Sequence, residues 1–167
     1  MSIIYNIKFK IIKFIYPIKI KKKAAQCNGR VYVGGPSFVT KNTYLDSNVC
    51  FNGMKIFGNG KVSIGSNFHS GSGCQIITSF HNYNGNSVPY DDTFIDKDVV
   101  IKENVWLGNN VIILGGVTIE EGSIIQAGSV VCKDIPKYSI AGGHPAIPFK
   151  QRNIEIYENN KLEKRFH

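Results

Sequence analysis

The chain has 167 residues, of which 43% are hydrophobic and 19% charged, which predicts one folded domain and excludes a disordered protein. Its net charge of +8 is concentrated at the N-terminus: residues 1–23 contain seven lysines and no acidic residue, whereas residues 24–149 contain eight basic and nine acidic residues. The body is therefore nearly neutral, and no nucleic-acid partner is expected, because a nucleic-acid-binding domain spreads Lys and Arg over a folded face.

The N-terminal segment, residues 1–30, is basic and amphipathic. Lysines interrupt each of its apolar runs, so we expect neither a signal peptide nor a transmembrane helix, which needs ~20 apolar residues. Two interpretations stay open for residues 1–23. They either contact an anionic membrane surface peripherally, or they pack on the first turn of the fold or between subunits.

The four cysteines, Cys27, Cys50, Cys74 and Cys132, lie far apart and form no C-x-x-C pair. This spacing is typical of neither a zinc site nor a disulfide framework, and it favours a reducing compartment. We therefore expect a cytoplasmic protein, at the inner face of the membrane if residues 1–23 bind lipid.

A repeat of six residues dominates residues 31–149. Fifteen anchor positions follow this spacing, with one slip of a residue and one interruption, and all but one of them are apolar. The anchors are Val33, Val39, Leu45, Phe51, Phe57, Ile64, Ser70, Ile76, Ile95, Ile101, Leu107, Ile113, Ile119, Ile125 and Val131. Three positions after twelve of the fifteen anchors comes Gly, Asn or Asp, the residues that best tolerate positive φ in a tight turn.

A period of six fits neither an amphipathic helix nor an alternating strand. It is expected for very short strands that each bury one anchor and are separated by turns. Three such units close a triangular coil, and stacked coils form a parallel β-helix. The fifteen units predict a mainly β domain of about five coils over residues 31–149.

The repeat is interrupted between Ile76 and Ile95, so residues 78–93 are predicted to leave the β-helix as a protruding loop. Loops on a rigid scaffold often carry function, and this one contains His81. Beyond the last anchor, residues 150–167 have a helical composition and are predicted to fold back as a short C-terminal helix that caps the stack.

Several motifs resemble those of the hexapeptide-repeat acyltransferases, which have a left-handed β-helix fold. The segments 105–108 (VWLG), 127–131 (AGSVV), 133–136 (KDIP) and 142–146 (GGHPA) are similar to the C-terminal half of the galactoside, maltose and polysaccharide acetyltransferases. The segments 68–71 (FHSG), 80–83 (FHNY) and 89–91 (PYD) are most similar to the sugar O-acetyltransferases of capsule and O-antigen clusters.

The resemblance implies an acetyl-CoA-dependent O-acetyltransferase that acts on a sugar hydroxyl, of a capsule, O-antigen or exopolysaccharide precursor. It also implies a homotrimer with active sites in the clefts between neighbouring prisms, a saccharide acceptor, acetyl-CoA as co-substrate and no metal. The alternative is an N-acetyltransferase for an amino sugar, or a drug-modifying acetyltransferase of the same fold.

By motif, His81 is the implied general base, and His69 is a second candidate that either lines the same cleft or is a satisfied wall residue. A neutral imidazole suits removal of a hydroxyl proton near neutral pH. The implied cofactor-binding positions are Trp106, Asn109, Ala127, Cys132, Lys133 and Lys150. The loop residues assigned to the acceptor are Asn82, Tyr83, Tyr90 and Asp91. The sequence departs from the family pattern at Cys132, where threonine is usual, and at Ile147, which replaces a basic residue.

Other interpretations of these residues are open. His81 has a structural role in its loop in one of them, Asp91 or Asp92 orients His81 in another, and Cys74 is an acyl nucleophile in a third. A γ-type carbonic anhydrase needs three zinc-binding histidines, two of them closely spaced, which the sequence lacks. An ice-binding β-helix needs a ladder of Thr on one face, and the threonines do not form one.

Overall fold

The computed structural model describes the backbone of residues 3–167 and the side chains of residues 11–167. Three parallel sheets form the faces of a triangular β-helix, which confirms the predicted mainly β architecture. Sheet A contains β1 (Gln26–Cys27), β3 (Thr43–Leu45), β6 (Val62–Ile64), β11 (Val99–Ile101) and β14 (Thr118–Ile119). Sheet B contains β2 (Val31–Gly35), β4 (Val49–Asn52), β7 (His69–Ser72), β12 (Trp106–Leu107), β15 (Ile124–Ile125), β17 (Ser139–Gly142) and the antiparallel β18 (Ile147–Gln151). Sheet C contains β5 (Lys55–Phe57), β8 (Gln75–Ile77), β13 (Ile112–Leu114) and β16 (Val130–Val131).

The strands are short because each contributes two inward side chains before the chain turns a corner. Val105 and Leu107 are buried, for example, whereas Trp106 between them points outward and is 52% exposed. Thirteen of the fifteen predicted anchors are buried in this way. Sheet B has six parallel strands, so the β-helix has about six turns, one more than predicted.

Two predicted anchors do not point into the core. Phe57 is 46% exposed, and its neighbour Ile56 is buried and lies in register with Ile76. Ile56 and Phe57 are both apolar, so either one fits the repeat as an anchor. In the structure Met54 and Ile56 point inward. The one-residue shift in the six-residue repeat therefore comes earlier than predicted, and the turn that follows β5 is longer. Ile95 belongs to a hairpin outside the stack, in which β10 (Phe94–Asp96) pairs antiparallel with β9 (Ser79–His81).

The corners use the predicted turn residues. Of the twelve Gly, Asn and Asp positions, eight have positive φ: Asn48, Asn67, Gly73, Asn104, Asn110, Gly116, Gly122 and Gly128. At the edge between sheets A and B, the Asn48 side-chain amide donates to Asn67 Oδ1, and Asn67 donates to Asn104 Oδ1, both at 2.9 Å. This asparagine ladder satisfies the side-chain amides of successive turns and keeps the corners in register.

A 21-residue helix, α1 (Ile3–Lys23), precedes the first coil. Ile20 is buried in the core, and Ile12 and Tyr16 pack against it, so α1 covers the N-terminal end of the prism. The Tyr16 ring also meets Phe38 edge-on, with 5.9 Å between ring centroids. Within the described residues, no helix is both long and apolar enough to cross a bilayer.

The C-terminal segment contains the predicted short helix, but this helix lies in a different place from the one predicted. The segment begins as strand β18, which pairs with β17, and continues into α2 (Ile154–Leu162), whose N-cap Asn153 accepts a hydrogen bond from the Ile156 amide at 3.0 Å. The helix does not cap the stack. It lies along the edge between sheets A and B, where the Tyr157 hydroxyl donates to Glu121 Oε1 at 2.9 Å and accepts from the Asn104 amide at 2.7 Å.

Candidate active site

The interrupted repeat holds His81 at the root of a loop on the edge between sheets C and A. His81 ends β9 and lies opposite Phe94 in the antiparallel pair. Its imidazole stacks on the Tyr90 ring, with 3.8 Å between centroids and 16° between planes, and lies 4.6 Å from the Phe94 ring. The side chain is exposed, so the hairpin presents an accessible imidazole in a defined orientation.

Hydrogen bonds of polar side chains hold the rest of this loop together. The Asp91 carboxylate accepts hydrogen bonds from the Thr93 hydroxyl, from the Thr93 amide at 2.9 Å and from the Asn86 amide at 3.0 Å, and these bonds lower the pKa of Asp91. Asn82 donates to Thr93 Oγ1 at 3.1 Å. The Asp91 carboxylate is thus used within the loop and does not orient His81. Tyr83, at 71% exposure, is more exposed than Tyr90, the other tyrosine of the loop, at 45%.

His69 lies elsewhere, on the outer face of sheet B. It is in register with Cys50 in the coil before and with Trp106 in the coil after. Asn52 donates to His69 Nε2 at 3.2 Å, and the same amide donates to Ser70 O at 2.9 Å. Burial, and then the nearby His167, lower the pKa of His69, so its ring stays neutral at physiological pH.

Two cavities of about 460 and 530 Å³ meet at His69 and together form a trough over sheet B. One lies between sheet B and the C-terminal segment, with Trp106 and Arg152 in its wall, and the other lies between sheet B and α1. Among the described residues, none of those in the loop 78–93 lines either cavity. His69 and His81 are therefore in separate environments within one protomer.

The implied cofactor positions fall on two edges and one face of the prism. Asn109 and Ala127 adjoin at the edge between sheets B and C, where the Gly128 amide donates to Asn109 O at 2.8 Å. A Cβ on Gly108 would lie 2.5 Å from the Ala127 amide nitrogen, so these coils pack too closely there for any other residue. The exposed Cys132 and Lys133 form part of the turn between sheets C and A, on the same edge as the His81 hairpin and about two coils further along. Trp106 and the exposed Lys150 lie on sheet B.

Cys74 and His144 both have structural contacts. The Cys74 thiol is buried and donates to Gly108 O at 3.1 Å, and burial raises its pKa, which disfavours the thiolate that a nucleophile needs. His144 hydrogen-bonds the Gly128 carbonyl oxygen through Nε2 in the terminal turn. Over the described part of the chain, no group of three or more His, Cys, Asp or Glu is placed to hold a metal ion.

Sequence reasoning missed Asn52, the partner of His69. A signal exists, because Asn52 precedes His69 by 17 residues, about one coil, so the repeat places the two residues in neighbouring coils. The contacts of Arg152 and His167 with the trough have no such signal, since they depend on the path of the C-terminal segment.

Comparison with known proteins supports the fold and the repeat. The family described as bacterial transferase hexapeptide (six repeats) matches residues 91–133, and no curated protein matches the chain significantly. A maltose O-acetyltransferase from Clostridium difficile 630 is 31% identical, with 75% of this chain and 64% of that chain covered and a TM-score of 0.51. A galactoside acetyltransferase in complex with coenzyme A is 24% identical, with 93% and 80% covered and a TM-score of 0.68.

An N-acyltransferase from Bacillus cereus, in complex with dTDP and 3-hydroxybutyryl-CoA, is 17% identical, with 92% of this chain and 97% of that chain covered and a TM-score of 0.67. The resemblance seen in the motifs is thus confirmed by the repeat and by the architecture. The chain carries the hexapeptide repeat over residues 91–133 and has the fold of the bacterial hexapeptide acetyltransferases.

Proposed function

We propose that this protein transfers an acetyl group from acetyl-CoA to a sugar hydroxyl, with His81 as the general base. The observation that carries the proposal is the exposed imidazole of His81, held by Tyr90 and Phe94 at the only long interruption of the described hexapeptide stack. The similarity of the fold to proteins with bound coenzyme A or acyl-CoA supports the choice of co-substrate.

In this reaction the sugar oxygen attacks the thioester carbonyl carbon while its proton passes to His81. The tetrahedral intermediate then collapses, the C–S bond breaks, and the proton moves from the imidazolium to the departing thiolate. Direct transfer needs no acyl-enzyme, in agreement with the buried, hydrogen-bonded thiol of Cys74.

The site is incomplete within one protomer, and we propose that a homotrimer completes it. His81, Cys132 and Lys133 lie on the edge between sheets C and A, whereas Asn109 and Ala127 lie on the edge between sheets B and C. When two prisms adjoin, one edge of each lines the cleft between them, so the residues separated by sheet C come together. Acetyl-CoA would lie in that cleft, with Lys133 and Lys150 available for its phosphates.

Sheet C also carries the apolar outer surface that subunit contact requires. Its outward side chains are the apolar Phe57, Ile77, Ile112, Leu114 and Val130, together with the polar Lys55 and Gln75 at one side of the sheet. Sheet A, by contrast, presents Gln26, Tyr44, Ser63, Val100 and Thr118. We therefore assign sheet C to the subunit interface.

The acceptor proposed is a saccharide of a capsule, O-antigen or exopolysaccharide precursor. Tyr83 offers an exposed ring in the loop, two residues after His81, and sugar rings pack well on aromatic faces. Transfer to an amine is the second candidate, supported by the fold shared with the N-acyltransferase from Bacillus cereus.

The proposal is tested by release of free CoA thiol from acetyl-CoA in the presence of separate acceptors. The panel contains nucleotide sugars, oligosaccharides, amino sugars and chloramphenicol, and the product of each reaction is identified by mass. We expect turnover with hydroxyl acceptors and an ester product. An amide product with amino sugars would establish the second candidate, and turnover with chloramphenicol alone would contradict the saccharide acceptor.

A further inference from the structure

Over the described side chains, residues 11–23, helix α1 has two apolar faces, and one of the two meets the prism. Ile12, Tyr16 and Ile20 recur at intervals of four and pack on the core. On the opposite side Ile11, Phe14, Ile15 and Ile18 recur at the spacing of a second helical stripe, and they are 49%, 73%, 38% and 44% exposed. These four residues form the outer stripe of α1. An exposed stripe of this size on a helix that already covers the core needs a partner.

The charge around the outer stripe indicates the chemistry of that partner. α1 contains no acidic residue, and Lys19, Lys21, Lys22 and Lys23 are all exposed. Helical spacing places Lys19 and Lys21 on the two flanks of the stripe and Lys22 within its arc. A basic polar border around Phe and Ile is the pattern of helices that lie in the interface of an anionic membrane.

We infer that α1 docks this protein on the surface of an anionic bilayer, with the outer stripe in the headgroup boundary and the lysines on lipid phosphates. Insertion across the bilayer is not proposed, because α1 is too charged to span it. Self-association through the stripe is disfavoured, because it would place identical lysine-rich helices side by side.

The position of α1 makes this docking compatible with the rest of the molecule. The helix covers the N-terminal end of the prism, and the outer stripe faces away from that end, whereas the His81 hairpin lies on a lateral edge three coils above. In the proposed trimer with parallel prisms, three stripes would lie on one face, and binding would be strengthened by avidity. The inference does not depend on acetyl transfer.

The test is co-sedimentation of the full chain with vesicles of phosphatidylcholine alone and of equal parts phosphatidylcholine and phosphatidylglycerol. We expect binding to the anionic vesicles at least about tenfold tighter than to neutral ones, and weakened by salt. Phe14→Ser/Ile18→Ser and Lys21→Glu/Lys22→Glu should each reduce anionic binding about tenfold or more. The matched control is Ile156→Ser/Leu162→Ser, which removes two exposed apolar residues from α2 and should bind like the unaltered chain.

Several outcomes would overturn the inference. It fails if the unaltered chain does not bind anionic vesicles, if Lys21→Glu/Lys22→Glu binds as well as the unaltered chain, or if the α2 control loses binding equally. It also fails if Phe14→Ser/Ile18→Ser leaves vesicle binding intact but lowers the mass in light scattering, which would assign the stripe to subunit contact. CoA release in solution, measured in parallel, should not change in any variant, which separates this test from that of the proposed function.

Discussion

At the scale of single residues, aromatic stacking fixes the plane of the His81 imidazole. If His81 is the general base, His81→Ala should lower turnover by about 10²- to 10⁴-fold, because the hydroxyl loses its proton acceptor. The KM for acetyl-CoA should change little, since the implied cofactor positions do not contact this ring. The measurement is steady-state CoA release as a function of pH, in which the rise in rate attributable to the base should be absent from the variant.

His69→Ala is the control for that experiment. His69 is outside the loop, and its Nε2 is held by Asn52 at 3.2 Å, so a smaller loss is expected. Near-normal turnover of His81→Ala together with loss of turnover in His69→Ala would show that the wrong histidine was assigned.

Tyr90 has a second role available besides contact with the acceptor, because its ring stacks on His81. Tyr90→Ala should lower kcat about tenfold by releasing the imidazole, while Tyr90→Phe, which keeps the ring, should retain the original kcat. Separate determination of kcat and of the acceptor KM decides between the two roles. A raised acceptor KM with unchanged kcat in Tyr90→Ala would indicate that Tyr90 contacts the acceptor and does not position His81.

The position of His81 in a loop can be predicted from the sequence, because the interruption of the six-residue repeat is visible in the sequence alone. The partners of His81 and Asp91 are less accessible to such reasoning. Tyr90, Asn86 and Thr93 reach them only through the conformation of an irregular loop, which no repeat constrains. The assignment of the cofactor positions to different edges of the prism depends on which strand belongs to which sheet. A shift of one residue in the predicted repeat changes that assignment.

At the scale of elements, Glu121 fastens α2 to the prism. Burial favours a raised pKa for its carboxyl, but hydrogen bonds from Lys161, Lys137 and Tyr157 outweigh burial and hold the pKa of Glu121 below its ordinary value of 4.5. A lowered pKa means that this stabilisation is complete above about pH 4.5 and is lost as the pH falls through the lower folded-state pKa.

Glu121→Gln should therefore lower the free energy of unfolding by about 1–2 kcal/mol at neutral pH, because it removes charge-assisted hydrogen bonds whose lysines are partly exposed. It should also flatten the loss of stability below about pH 4.5. Urea unfolding across this pH range is the measurement, with Glu120→Gln as the neighbouring control. Equal pH dependence in the two variants would contradict the assignment.

How well the sequence predicts the structure also depends on the type of element. The six-residue repeat predicts the strands of the stack, and the burial of thirteen anchors confirms this prediction. The prediction of Phe57 as an anchor is wrong, because Ile56 and Phe57 both fit the apolar pattern at that position. The path of α2 depends on the contact of Tyr157 with Asn104, 53 residues away, which the composition of residues 150–167 does not encode.

At the scale of the whole molecule, the distribution of site residues over two edges predicts an obligatory oligomer. Light scattering should give three times the chain mass of 18.6 kDa. Leu114→Glu, on the outer face of sheet C, should give monomers and lower activity on the order of 100-fold, because the cleft loses one wall. Val100→Glu, on the outer face of sheet A, is the control and should keep the trimer. A fully active monomer would remove the shared-cleft proposal.

The path of the C-terminal segment affects the cooperativity with which the molecule unfolds. Stacked-repeat proteins contact only adjacent units, so their terminal repeats tend to fray independently. Here the last coil continues into α2, and the chain then descends until the Asn48 amide donates to His167 O at 3.0 Å, in the second coil. This return links early and late repeats that otherwise share no contact, and it favours one cooperative unfolding transition. Deletion of residues 163–167 should uncouple the ends, so that amide hydrogen exchange in β2 and β4 becomes faster than in β13 and β15.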